Sequence, residues 1–185
     1  MQKNIKRLLD WDYQVTETIR MEQTPKWRWG LATFFAHSGD SWYCLLVLGI
    51  IWLYGNTEWH YIAAALGSGT FLLAFIVIAI KFLIRRRRPE GEWGEIYRNT
   101  DPHSFPSGHA TRVFFLASMS WMIGPIGFAI GLTIWAPIVA ISRVFTGVHY
   151  MSDVIAGAII GVIFGQIAVL ILPIIVNWFP FIFFR

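Results

Sequence analysis

Five apolar stretches, each near the length a helix needs to cross a bilayer, leave this chain few folds to choose from. They lie at about 41 to 55, 60 to 84, 108 to 124, 126 to 142 and 152 to 172. Crossing the hydrocarbon takes roughly 20 residues of helix, and the backbone polar groups inside it must be satisfied within the span. The expected fold is all-α: a polytopic bundle of about five transmembrane helices in the cell membrane. Composition agrees, with 56% hydrophobic and 17% aromatic residues among 185, above the usage of soluble domains.

The first stretch is short, and Ser38-Gly39-Asp40 separates it from the apolar run Leu31 to Phe35 with a helix-capping signature, so a helix start is expected near Asp40. Upstream, Ile5, Leu8, Leu9, Trp11 and Tyr13 mix with Lys3, Lys6, Arg7 and Asp10, a pattern that suits a helix lying in the membrane surface. The chain thus divides into an N-terminal interfacial segment, 1–40, and a transmembrane domain, 41–185. Met1 to Arg28 carries charges throughout and lacks the apolar core of a signal peptide, so it is expected to be retained. Tryptophans 27, 29, 42, 52, 59 and 178 fall near run ends, where an amphipathic ring suits the headgroup layer. Gly124-Pro125 marks a turn, and Pro137 is expected to kink the fourth span. Gly157, Gly161 and Gly165 form a small-residue stripe for close helix approach within the chain, with dimerisation as the alternative. Cys44 is the single cysteine, so no disulfide contributes. The net charge of +4 would hint at nucleic acid in a soluble protein; with membrane-length runs no nucleic-acid partner is expected.

If each run crosses once, the end of the second, the start of the third, the end of the fourth and the start of the fifth share one face. Three polar clusters sit at those points: Lys81 with Arg88-Pro89, Pro106-Ser107-Gly108-His109, and Ser142-Arg143 with His149 and Asp153. A cation inside a span is costly enough to mark function. Arg88 precedes proline, which favours an extended backbone and frees its guanidinium to grip an anionic oxygen bidentately. Arg85, Arg86 and Arg87 read as surface charges. Ser107 is placed to cap the third helix, whose first amides, at Gly108 and His109, can bind an anion. His109 can protonate a leaving oxygen beside it. His149 and Asp153, four residues apart, share a helical face, and a carboxylate on one ring nitrogen fixes the tautomer and makes the other a better nucleophile. Three cations plus helix amides can neutralise a phosphoryl transition state without magnesium, so no metal or cofactor is expected. The residues alone leave open which histidine attacks. Glu90, Glu92, Glu95 and Asp101 read as a solvated acidic loop. His103 and Arg112 are placed near the mouth of the site without a catalytic role, and His37 and His60 as interfacial or cap residues.

These clusters, Lys-x6-Arg-Pro, Pro-Ser-Gly-His and Ser-Arg-x5-His-x3-Asp, resemble the three signatures of the type 2 phosphatidic acid phosphatase superfamily and match at every position across roughly residues 60 to 170. The resemblance implies an integral-membrane lipid phosphatase. In it His149 is the nucleophile that becomes phosphorylated, Asp153 orients it, and His109 is the general acid. Lys81, Arg88, Ser107, Gly108 and Arg143 hold the phosphoryl oxygens.

Phosphatidic acid, phosphatidylglycerophosphate, a polyprenyl diphosphate and a phosphorylated glycolipid all fit, because the motifs describe the phosphate and not the tail. A phosphotransferase passing the group to another alcohol, a non-catalytic lipid-binding relative and a soluble vanadate-dependent peroxidase are the alternatives; the membrane-length runs count against the last. The positive-inside rule points this face to the cytoplasm, whereas bacterial members of the family usually work on the outer face. The extracytoplasmic side is preferred, since chemistry needs several of these cations.

Overall fold

The computed structural model describes residues 2–20, 25–90 and 101–184, and among them the chain forms eight helices. These are α1 (Gln2–Ile19), α2 (Lys26–Ser38), α3 (Ser41–Tyr54), α4 (Thr57–Ile84), α5 (Gly108–Ile123), α6 (Ile126–Phe145), α7 (Met151–Trp178) and the short α8 (Pro180–Phe183). Their bounds follow local chemistry. Asn56 caps α4 by accepting from the Trp59 amide at 3.0 Å, Ser107 caps α5, and Pro125 precedes α6, where a missing donor costs nothing.

Helices α4, α6 and α7 are long and apolar enough to cross a membrane, and α2 with α3 make a fourth such unit if that pair, bent by 60°, is one span. The expected helix start is found at Ser41. The stretch expected at 108 to 124 is found as α5, whose 16 residues make about 24 Å of helix, short of a full crossing by length alone. It lies in the middle of the bundle, packed on α4, α6 and α7, with Thr111, Val113, Phe115 and Met119 buried. Large apolar side chains on α3, α4 and α7, such as Leu46, Phe71, Phe75, Ile159 and Leu170, point outward, which in water would be an aggregating surface and in lipid is ordinary.

Among the described residues α5 and α7 pack on each other most extensively, and the glycine stripe lets them approach closely. A Cβ at Gly157 would lie 2.7 Å from the Ser107 carbonyl oxygen, one at Gly161 2.3 Å from that of Thr111, and one at Gly165 2.9 Å from the Ser118 side chain. The stripe therefore serves packing within the chain. Because α5 carries one motif on its first turn and α7 another, this contact sets the distance between them. At the opposite end, Trp52 donates from its indole to the Ile182 carbonyl at 2.7 Å and accepts at its own carbonyl from His60 Nδ1 at 2.7 Å. Trp52 and His60 thus tie α3, α4 and α8 together instead of serving as interface anchors.

Helix α1 does more than lie on a surface. Asp12 and Thr16 are buried. The Asp12 carboxylate accepts from the Ser152 amide at 3.0 Å and from its hydroxyl at 2.6 Å, while Thr16 Oγ1 accepts from the Met151 amide at 3.1 Å. These are orphan donors of the first turn of α7, so α1 caps the helix that carries Asp153.

Candidate active site

The site begins where α4 stops. Arg85 adopts a left-handed conformation, φ 52°, and the chain turns back beside residues 101–104, where Ser104 N donates to the Arg86 carbonyl at 2.9 Å. Arg88, outside the helix just before Pro89 and 3% exposed, then lies across the end of the bundle. Its Nε donates to the Asp101 carbonyl at 2.7 Å, Nη2 to Asp101 Oδ2 at 2.8 Å and Nη1 to the Val148 carbonyl at 2.7 Å. Lys81 is also buried, and its Nζ donates to Asp101 Oδ2 at 2.6 Å and to the His103 carbonyl at 2.8 Å.

Asp101 is therefore more than a solvated loop charge: its side chain stays 40% exposed while it pairs with two buried cations. Two cations with little water around them converge on one of its oxygens, and this attraction outweighs the hydration the carboxylate would have in the open. Glu90 is exposed; Glu92 and Glu95 lie outside the described residues.

Arg86 corrects the surface reading of the arginine run in the same way. One nitrogen, Nη1, donates to Asp153 Oδ1 at 2.7 Å and to Ser152 Oγ at 2.6 Å, the other, Nη2, to Asp12 Oδ2 at 2.6 Å. Its guanidinium lies 4.0 Å from the centre of the Tyr150 ring. The left-handed turn at Arg85 aims it inward, which a run of four identical residues conceals.

Asp153 is fully buried. Besides Arg86, it accepts from the Tyr150 amide at 3.0 Å, and its Oδ2 stands 3.6 Å from His149 Nδ1, an ion-pair distance longer than a hydrogen bond. The other imidazole nitrogen of His149, Nε2, lies 3.2 Å from Arg88 Nη1. His149 sits in the loop between α6 and α7, and burial holds its pKa well below the usual imidazole range, with the charges of Arg88, Arg143 and Lys81 acting in the same direction.

Ser107, buried at the N-cap of α5, accepts from the Ala110 amide at 3.5 Å and donates its own amide to the Asp153 carbonyl at 3.0 Å. The second and third motifs are stitched together there. Arg143, 1% exposed, donates to the Ala36 carbonyl at 3.2 Å.

A cavity of about 390 Å³ is lined by Lys81, Arg88, Gly108, His109, Arg143 and His149, with Asp101, His103 and Arg112 at its polar end and Leu73, Ala74, Val77 and Ile78 of α4 along its apolar wall. Ser107 and Asp153 stand behind this lining. All three clusters meet, as the crossing order required. Arg112 and His103 are at the cavity as expected, while His37 is placed differently: its Nδ1 lies 3.2 Å from Asp40 Oδ2, and the other oxygen of that carboxylate is 2.5 Å from His109 Nε2. Asp40 occupies the N-cap position of α3 but makes no side-chain cap bond. A signal for it was present. The crossing order that gathers the motifs on one face puts the start of the first span there too, and a carboxylate three residues after a histidine stands at that point.

A profile of the PAP2 superfamily matches residues 62–176. The chain belongs to the PAP2 superfamily. Among PAP2 relatives, the decaprenylphosphoryl-5-phosphoribose phosphatase of Mycobacterium tuberculosis is 36% identical over 143 residues, which is 75% of each chain. Two solved PAP2-like folds superpose with TM-scores of 0.67. One is Aquifex aeolicus LpxE, 23% identical, covering 84% of this chain and 93% of that one. The other is the PAP2-type phosphatidylglycerolphosphate phosphatase of Bacillus subtilis, 21% identical, covering 88% of this chain and 84% of that one.

Proposed function

We propose that this PAP2 chain is a multi-pass lipid phosphatase that removes a terminal phosphate from a membrane lipid through a phosphohistidine on His149. One observation carries the reading: Lys81, Arg88 and Arg143, with the imidazoles of His109 and His149, line a single cavity whose other wall is apolar helix. The phosphate rests among Lys81, Arg88, Arg143 and the first turn of α5, displacing Asp101. His149 Nε2 forms a bond to phosphorus as the bond to the lipid oxygen breaks, and His109 gives that oxygen a proton. Water then attacks the phosphohistidine, His109 takes a proton from it, and phosphate leaves. Arginines replace a metal in balancing the equatorial oxygens. Asp153, held by Arg86 and the Tyr150 amide, keeps His149 oriented from behind.

The substrate class that fits best is a phosphomonoester on a polyprenyl-linked or other long-chain lipid. The name of the mycobacterial relative supports this, as does the apolar wall of α4, Leu73 to Ile78, which can take a chain running into the bilayer. The catalytic end is read as facing out of the cytoplasm.

The test is phosphate release by the purified chain from a panel of phosphatidic acid, phosphatidylglycerophosphate, polyprenyl diphosphate and phosphorylated glycolipid, in EDTA and with no acceptor alcohol. Activity that survives the chelator, is blocked by vanadate and is absent in His149→Ala supports the reading. Dependence on an added alcohol would make the chain a phosphotransferase, and an active His149→Ala would end the phosphohistidine scheme.

A further inference from the structure

The break between α2 and α3 is built to deliver Asp40. An apolar run of α2 and α3 together would make one span, yet it bends by 60° at Ser38-Gly39-Asp40, and the bend is fastened by residues from two other helices. Trp135 of α6 donates its indole proton to Ser38 Oγ at 3.0 Å, Arg112 of α5 donates to the Gly39 carbonyl at 2.5 Å, and Arg143 of α6 donates to the Ala36 carbonyl at 3.2 Å. Gly39 itself is pressed against its neighbours. A Cβ there would lie 2.7 Å from Val139 Cγ1 and 3.3 Å from Val113 Cγ1, so only glycine lets the turn approach α5 and α6 this closely.

At the end of this fastened turn the Asp40 carboxylate points away from its own helix. Oδ1 lies 2.5 Å from His109 Nε2 and Oδ2 3.2 Å from His37 Nδ1. A residue serving as a helix cap would accept from the α3 amides, and Asp40 does not. We infer that Asp40 is the positioning residue of the general acid His109, and that His37 in turn holds Asp40, so that a second His–carboxylate arrangement faces that of His149 and Asp153 across the cavity. This rests on the role given to His109 above.

The chemistry follows from which atoms can donate. An ionised carboxylate only accepts, so the proton on Nε2 belongs to the bond with Asp40, and Nδ1 is the nitrogen left for the substrate. An imidazolium at His109 has Arg112 and Arg143 as positive neighbours, and Lys81, Arg88 and His149 share the same cavity; Asp40 supplies the opposing charge. When the bond from phosphorus to the lipid oxygen breaks, the Nδ1 proton passes to that oxygen. His109 is left neutral, still donating Nε2–H to Asp40.

Help of this kind matters in proportion to how poor the leaving group is. The experiment measures kcat/KM of the full chain in detergent for phosphate monoesters graded from nitrophenyl to simple alkyl, for wild type, Asp40→Asn, His37→Gln and His109→Gln, with vanadate inhibition for each. Because kcat/KM includes only steps up to loss of the leaving group, later hydrolysis does not enter. Asp40→Asn should lose about 100-fold on alkyl esters and less than about 5-fold on nitrophenyl phosphate, with vanadate binding within about 3-fold of wild type. His37→Gln should show a loss graded in the same direction but shallower, about 3- to 10-fold on alkyl esters and little on nitrophenyl phosphate. A loss by Asp40→Asn that is equal across the series, or no loss, overturns the inference. If Asp40→Asn does not bind vanadate at all, His37→Gln decides: a loss graded with the leaving group supports the inference, and a uniform or absent change overturns it. His109→Gln separates the two levels, since a uniform loss there sinks the acid role itself, whereas a graded loss beside a uniform one in Asp40→Asn sinks only the part played by Asp40.

Discussion

Arg88 Nη1 lies 3.2 Å from His149 Nε2, and that contact sets the tautomer of the histidine. A guanidinium has donors and no acceptor, so Nε2 receives with its one lone pair, while the proton resides on Nδ1 toward Asp153. In the proposed cycle the nucleophile and the phosphate clamp thus orient each other before substrate arrives.

His149 should also make the protein acid-sensitive. Its lowered pKa means that the folded chain refuses a proton that the unfolded chain accepts once the pH drops below about 6.5. The stability this contributes is complete above that value and is lost as pH falls. Between about pH 6.5 and 5 the wild type should lose up to about 1.4 kcal/mol per pH unit more than His149→Gln, measured by denaturation in mild detergent. Parallel curves would show that His149 takes up a proton equally well in both states.

Asp101 should compete with substrate. One oxygen of its carboxylate is shared by Lys81 and Arg88 at 2.6 and 2.8 Å, and an incoming phosphoryl oxygen needs the same two donors. Asp101→Asn is expected to tighten vanadate inhibition by about tenfold, since the neutral amide offers a weaker rival for the two cations. Weaker inhibition in the variant would mean that Asp101 arranges the cations for phosphate and does not stand in its way.

The latch between α1 and α7 should be worth more than a surface ion pair. Asp12 is buried, and its removal leaves Arg86, Ser152 and the Ser152 amide without an acceptor they now use. Asp12→Ala should destabilise the fold by about 3 kcal/mol, while Arg86→Met together with Asp12→Ala should cost less than the sum of the two single changes. Thermal melts of the four chains measure this coupling, and strict additivity would show that the pair is not a unit.

Glycines in this bundle are not equivalent. At Gly161 an added Cβ would lie 2.3 Å from a backbone oxygen and 2.9 Å from a backbone nitrogen of α5, whereas at Gly131 it would meet nothing within 4 Å. Gly161→Ala should cost about 3 kcal/mol or more by forcing α5 and α7 apart. Gly131→Ala should gain about 0.5 to 1 kcal/mol from helix propensity. The two melts move in opposite directions if the stripe is a packing device, and in the same direction if it is not.

The motif residues were legible because each sits within a few positions of a helix end, where proline, serine and the apolar period fix the register. Lys81, His109 and Arg143 reach the cavity for that reason. What lay hidden is pairing over long separations. Asp101, Arg86, Asp12 and Asp40 are ordinary charges in sequence, and each acquires meaning from a partner brought close by packing: Asp40 from α5, Asp12 from α7. Asp40 does stand at the N-cap its residue type suggested, but its carboxylate is turned to His109 and His37 instead of the α3 amides, because the residue types that start helices also serve as carboxylates. The length of the central helix was legible at 108 to 124, but its place was not, since hydropathy records how apolar a run is and not whether lipid or neighbouring helices surround it.

The capping of α7 by α1 joins residues 140 positions apart, Asp12 and Ser152. A ribosome emits α1 long before α7, so the earlier helix has to wait until its partner arrives. A nascent chain stopped before α7 holds the arginines and histidines of the cavity but lacks Asp153, the fastened acidic neighbour of His149. Assembly of the bundle and completion of its chemistry are therefore one and the same event.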